Sequence, residues 1–106
     1  MQPLSYRMSK QEADDLLAAA KTNLRETLRE LVAGGADPRE HLFMVISERG
    51  ETTVGVCELA DYAREVIMND GPASLSDWLE KPLPSDQQRV VVVIDGSAYP
   101  YAFQAK

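Results

Sequence analysis

Three side chains in this sequence have the chemistry to act on a substrate: the single histidine His41, the single cysteine Cys57, and Asp95. A Cys–His pair can supply a thiolate nucleophile, and a carboxylate can act as a general acid or base. His41 and Cys57 fall on two neighbouring predicted strands, where they could lie close together. However, a lone cysteine in an apolar strand is more often a small core residue, and Asp95-Gly96 followed by Ser97 is typical of a hairpin turn. These residue types therefore favour structural roles over catalysis.

No spacing in the sequence matches a metal or cofactor site. One histidine with scattered carboxylates forms neither an HExxH motif, nor a paired-cysteine site, nor a calcium loop. Gly34-Gly35 and Gly96 stand outside any GxGxxG or GxxxxGK motif, so they are expected to end a helix and to form a turn. We therefore expect no metal and no cofactor, and an enzyme is the less favoured class of function.

Six apolar residues form the candidate partner-binding surface. Three of them are leucines near the end of a long predicted helix, whose length exceeds what is needed to cover a small sheet. The other three are aromatic residues that alternate along one predicted strand and therefore share a face. An aromatic face of this kind either enters the core or binds a partner. The residues are Leu24, Leu28, Leu31, Tyr99, Tyr101 and Phe103.

The N-terminal part of the chain is predicted to form one long helix. Ser9-Lys10-Gln11-Glu12 matches a capping box, in which Ser9 is the N-cap. Apolar residues then recur with helical spacing up to Gly34-Gly35, which predicts a helix from Lys10 to Ala33. Residues 1–8 are expected to be a flexible N-terminal segment.

Two hairpins are predicted from strand patterns around glycine-containing turns. The first joins His41–Ser47 to Thr52–Cys57, and the second joins Arg89–Ile94 to Tyr99–Gln104. Pro100 cannot donate a backbone hydrogen bond, so the last strand is predicted to lie at an edge of the sheet.

Between the hairpins, Leu59–Ile67 keeps helical spacing and Ser74–Leu79 resembles one further capped turn. The sequence thus predicts an α+β fold: a four-stranded antiparallel sheet of two hairpins, with one long N-terminal helix and a shorter helix between the hairpins (α-β-β-α-β-β), as one domain over residues 1–106. No set of residues identifies a family. Only the order of the elements is similar to that of the small acidic secretion chaperones, which are dimers of helices and sheets.

The charge of the chain is concentrated in its middle. The net charge is −6, while residues 36–86 hold 11 acidic and 4 basic residues. Such a field repels phosphate backbones and anionic lipid, so neither nucleic acid nor a membrane is an expected partner. The absence of a long apolar run and of a secretory signal, together with one cysteine, predicts a cytoplasmic protein.

The run Val90–Ile94 predicts a partner, because a strand that is apolar on both faces needs cover on both. The long helix can cover one face. For the other face, either the Leu59–Ile67 helix and the Trp78 segment suffice, or a second copy supplies the rest. We favour a homodimer, formed through the Leu24, Leu28 and Leu31 end of the helix or through the edge strand at Tyr99–Gln104.

The sequence therefore predicts a small acidic, soluble, non-catalytic protein-binding module, of the adaptor, chaperone or inhibitor type, that acts through an exposed apolar surface. Its partner would be itself or another protein. The alternative is a small enzyme or small-ligand sensor that uses His41, Cys57 or Asp95 in a pocket between sheet and helix.

Overall fold

Four α-helices and four strands make up residues 4–104, the part of the chain that the computed structural model describes. The helices are α1 (Leu4–Ala19), α2 (Lys21–Ala33), α3 (Leu59–Met68) and α4 (Ala73–Glu80), and a short 3-10 helix spans Pro38–Glu40. The strands are β1 (His41–Glu48), β2 (Glu51–Glu58), β3 (Gln87–Ile94) and β4 (Ser97–Gln104). The α+β class predicted from the sequence is confirmed.

Each hairpin closes through a two-residue turn. Arg49 and Gly50 join β1 to β2 with φ angles of 51° and 82°, and Asp95 and Gly96 join β3 to β4 with φ angles of 49° and 82°. Positive φ at both central residues gives the turn a twist that matches the twist of the strands. The two hairpins predicted from the sequence are confirmed, each with slightly longer strands.

The sheet is mixed, so the prediction of a strictly antiparallel sheet is wrong in one pairing. The strand order is β2-β1-β3-β4, and β1 runs parallel to β3 with Phe43 opposite Val90. The reason is that two helices, rather than one, connect the hairpins. They return the chain to the end of the sheet where it left β2, as the 2.6 Å bond from the Gln88 amide to the His41 carbonyl shows. From that end, β3 must run in the direction of β1.

The N-terminal helix also differs from its prediction. It begins at Leu4 rather than Lys10, so Ser9 lies inside α1 and is not an N-cap. Residues 1–3 of the expected flexible segment lie outside the described residues. The predicted single helix is divided at Ala20, where φ and ψ are −85° and −2°. No glycine or proline marks this bend, which allows Ala13 and Leu24, one on each side of it, to be fully buried in the same core.

Helices cover both faces of the sheet. On the α1–α2 face, Phe43, Val45, Val90, Val92 and Ile94 pack under the two N-terminal helices. On the opposite α3–α4 face, the core consists of residues from the inner strands and the two later helices: Leu42, Val66, Leu75, Leu79 and Val91. Val90, Val91 and Val92 have no exposed surface at all. The central strand is therefore covered within one chain: of the two alternatives for its second face, the later helices suffice.

Candidate functional site

His41 and Cys57 do not form a pair. Cys57 lies opposite Leu42 in the β1–β2 register and packs on the α3–α4 face. His41 precedes Leu42, and adjacent residues of a strand point to opposite faces. The His41 imidazole Nδ1 instead lies 2.9 Å from the carbonyl oxygen of Asp37, next to the short 3-10 helix.

The environment of Cys57 also disfavours a nucleophile. Burial raises the pKa of the Cys57 thiol, and the nearby carboxylates of Glu65 and Asp61 raise it further. A reactive cysteine needs the opposite, a pKa lowered by positive charge. Cys57 is therefore a neutral thiol at the margin of the core.

Asp95 lies far from both residues. It occupies the exposed turn after β3, whereas His41 begins β1. Because β1 and β3 run parallel, the start of one strand and the end of the other lie at opposite ends of the sheet. The three candidates for chemistry are thus distributed over two faces and two ends, and the structure brings no two of them together.

The six predicted partner-binding residues do come together, but in the core of the α1–α2 face. Leu24 and Phe103 are 0% and 3% exposed. The other four are half-buried and pack against the same core: Leu28, Leu31, Tyr99 and Tyr101. The aromatic face of β4 therefore points inward, and most of this set stabilises the fold.

A cluster of polar side chains links the middle of β4 to α1. The Lys10 ammonium donates to Asp14 at 3.0 Å and to the Tyr101 hydroxyl at 2.9 Å, and that hydroxyl donates to Asp14 at 2.6 Å. Lys10 also lies over the Tyr101 ring, 4.7 Å from its centroid. The hydrogen bond from Tyr101 and then that from Lys10 lower the pKa of Asp14, while the same hydroxyl and carboxylate raise the pKa of Lys10. This Lys10–Asp14–Tyr101 cluster links α1 to β4.

The least covered part of the sheet is β2, one of its two edge strands. Its residues are mostly exposed along the full eight-residue length, and Val56 is 40% exposed although it points to the α1–α2 face. The strand contains no proline and no lysine, two of the residues that commonly block an edge against pairing. β2 is therefore open to addition of another strand.

The hairpin geometry identifies the backbone groups that β2 presents. Glu48 and Glu51 flank the two-residue turn and so form the first hydrogen-bonded pair. Pairing then alternates along the strand, which leaves the N–H groups of Thr52, Val54 and Val56 directed away from β1.

A groove lies beside this edge on the α1–α2 face. It has a volume of about 520 Å³ and separates α2 from β2. Leu16, Ala20 and Val54 supply apolar lining, and the charged residues that line it are Glu26 and Glu30. We call it the α2–β2 groove. The groove combines acidic lining residues, apolar contacts and an unpaired strand edge, and these features suit the binding of an extended peptide.

The β2 edge and the α2–β2 groove are not predicted from the sequence, because the prediction of a binding surface rested on large apolar and aromatic residues. The usable signal is the contrast between two strands: Pro100 interrupts β4, whereas no proline interrupts the Thr52–Val56 segment of β2. Which strand lies at an edge depends on the strand order, which the sequence pattern alone did not give.

No protein-family model, curated protein or solved structure matches this chain. The similarity of its element order to that of the secretion chaperones remains an expectation. Over residues 4–104, no helix is long and apolar enough to cross a membrane, and no three potential metal-ligating side chains cluster.

Proposed function

We propose that this chain is a non-catalytic protein-binding module that adds an extended segment of another protein to its sheet, as a fifth strand beside β2. Strand addition supplies main-chain hydrogen bonds for affinity and uses pockets for alternate side chains to obtain specificity. The observation that carries the proposal is the open β2 edge with its outward N–H groups beside the α2–β2 groove.

The charges near β2 indicate the chemistry of the partner segment. Glu26 and Glu30 line the groove, and Glu51 and Glu58 stand at the two ends of the strand. Because alternate residues of a strand share a face, every second side chain of the segment would enter the groove. A segment that carries both small apolar residues and lysine or arginine at those positions places apolar side chains against the apolar lining and positive charges against Glu26 and Glu30. Opposite charges at such an interface favour encounter and fix the register.

A second copy of the chain fits this edge less well. Antiparallel pairing of β2 with another β2 brings Glu51 and Glu58 of the two copies to the same ends of the joined strands, where like charges repel. A second copy is therefore the rival occupant of β2. The homodimer predicted from the sequence used other routes, the C-terminal end of the long helix or β4, and the β4 route meets Pro100.

The binding test uses two ten-residue peptides that carry threonine at every second position. The positions between the threonines alternate valine with lysine in one peptide and valine with glutamate in the other. We expect the lysine peptide to bind and to shift the amide signals of residues 52–56 in a ¹H–¹⁵N spectrum, and the glutamate peptide to bind at least tenfold more weakly. Val54→Pro removes one outward N–H and should abolish binding. Ala102→Pro is the matched control, because it places a proline at an outward position of β4 and should leave binding unchanged.

Three outcomes would contradict the proposal. They are equal binding of both peptides, binding that survives Val54→Pro, and a mass of twice 11.7 kDa in light scattering that Val54→Pro converts to one chain. The last result would assign β2 to self-association.

A further inference from the structure

A second pocket, at the end of the sheet opposite the two hairpin turns, has a positive lining in an otherwise acidic chain. It has a volume of about 280 Å³ and lies between the C-terminal end of α4 and the start of β3. Arg39, Lys81 and Arg89 line it together with one acidic residue, Glu80. We call it the Arg89 pocket. Its positive excess contrasts with the net charge of −6 for the whole chain.

Arg89 is the unusual residue of this pocket, because it is a charged side chain that is only 8% exposed. Among residues 10–104, whose side chains are described, no carboxylate forms an ion pair with it. Its Nη2 donates a long hydrogen bond of 3.4 Å to the carbonyl of Trp78, and its buried Nε has no hydrogen-bond partner. A guanidinium in this position has lost water without gaining an anion, which is costly.

The contacts of Arg89 hold its guanidinium in a defined place. The guanidinium carbon lies 5.4 Å from the centre of the Trp78 ring, and the Trp78 carbonyl belongs to the last turn of α4. The cation–π contact and the negative end of the helix both favour a positive charge there. Arg89 is therefore oriented before any ligand arrives, which lowers the entropic cost of binding.

We propose that the Arg89 pocket binds a small organic carboxylate with a short apolar chain. The ligand carboxylate would pair with Arg89 and lie within the field of Arg39 and Lys81, since a guanidinium presents two parallel N–H groups to a carboxylate. The apolar chain would lie against Leu79 and Leu83, which line the same pocket. This site is separate from β2, so it does not depend on the proposed peptide-binding function.

Trp78 provides the probe, because it is the single tryptophan of the chain and contacts Arg89. Hexanoate should change its fluorescence saturably, with a Kd of about 1 mM or tighter. Hexanamide, which has the chain without the charge, and inorganic phosphate, which has charge without the chain, should each bind at least tenfold more weakly. Absence of saturation by hexanoate up to about 10 mM, or equal binding of either control compound, overturns the proposal.

Variants locate the site. Arg89→Gln should weaken hexanoate binding at least tenfold. Arg25→Gln is the matched control: Arg25 also has a buried Nε without a partner and lies 6.0 Å from an aromatic ring, that of Phe103, but it does not line the pocket. It should leave binding unchanged.

If Arg89→Gln fails to fold, the exposed residues Arg39 and Lys81 keep the proposal testable. Arg39→Gln and Lys81→Gln should each weaken hexanoate binding about threefold at low salt and have little effect at high salt, because their charges act through solvent. Unchanged binding in both variants, or equal weakening in Arg25→Gln, overturns the assignment.

Discussion

The two edges of the sheet, β2 and β4, are built in opposite ways. β4 places Tyr99, Tyr101 and Phe103 against the core, is linked to α1 by the Lys10–Asp14–Tyr101 cluster, and carries Pro100 at an outward backbone position. β2 has none of these features and faces a groove. One edge is thus protected from further pairing while the other is left open, and this difference is the basis for the proposal that a partner strand adds to β2.

The largest expected effect tests the difference in burial. Phe103→Ala on β4 should lower the free energy of unfolding by about 3–5 kcal/mol, because it leaves a cavity in the core of the α1–α2 face. Val56→Ala on β2 should lower it by less than about 1 kcal/mol, because that side chain is already 40% exposed. Urea denaturation measures both. Similar losses for the two variants would mean that β2 is as well covered as β4.

An intermediate effect tests the direction of the backbone groups in β2. Thr52 and Thr53 are adjacent exposed residues of the same type, but only the N–H of Thr53 is directed toward β1. Thr53→Pro should therefore cost about 2 kcal/mol through the lost hydrogen bond and the carbonyl left without a partner. Thr52→Pro should cost less than about 1 kcal/mol. If thermal melting ranks the two variants the other way, the outward groups on β2 are misassigned.

The smallest effect concerns the polar cluster on β4, and it depends on pH. The folded state lowers the pKa of Asp14, so its contribution to stability is present above the usual carboxyl range and is lost as the pH falls through the lowered pKa. The raised pKa of Lys10 gives the opposite dependence: the contribution is complete below the ordinary lysine range and is lost as the pH rises through the raised pKa.

Asp14→Asn should therefore unfold at lower urea concentration than the unmodified chain near neutral pH, with a difference that disappears toward about pH 2. Urea titrations at several pH values measure this difference. A difference that stays constant across the acid range would show that the charge of Asp14 does not contribute.

Much of the fold could be predicted from the sequence because its signals are local. Gly50 and Asp95-Gly96 are residues that adopt the positive φ of these turns readily, and Pro100 has the edge position that its missing N–H requires. The parallel pairing of β1 with β3 could not be predicted in the same way. It depends on how many helices cross between the hairpins, and the pattern at Ser74–Leu79 indicates only a short capped helical turn beside the Leu59–Ile67 helix.

The candidate sites were harder to predict because they depend on which surfaces remain after packing. Leu24 and Phe103 are residues of the types found at binding surfaces, but both are buried in the core. Nothing in the sequence distinguishes Arg89 from other arginines, because its burial and its lack of a carboxylate partner depend on the tertiary structure around it. The open edge at β2 likewise follows from strand order rather than from residue type.

The parallel pairing of β1 with β3 also determines how cooperatively the sheet holds together. Each hairpin joins residues that are near in sequence, whereas Phe43 and Val90 are 47 positions apart. Five residue pairs, from Phe43–Val90 to Ser47–Ile94, join the two hairpins within the described sheet. An isolated hairpin is at best marginally stable in water. These five pairs therefore couple the two hairpins, since each hairpin alone would lose the cover that its neighbour in the sheet provides.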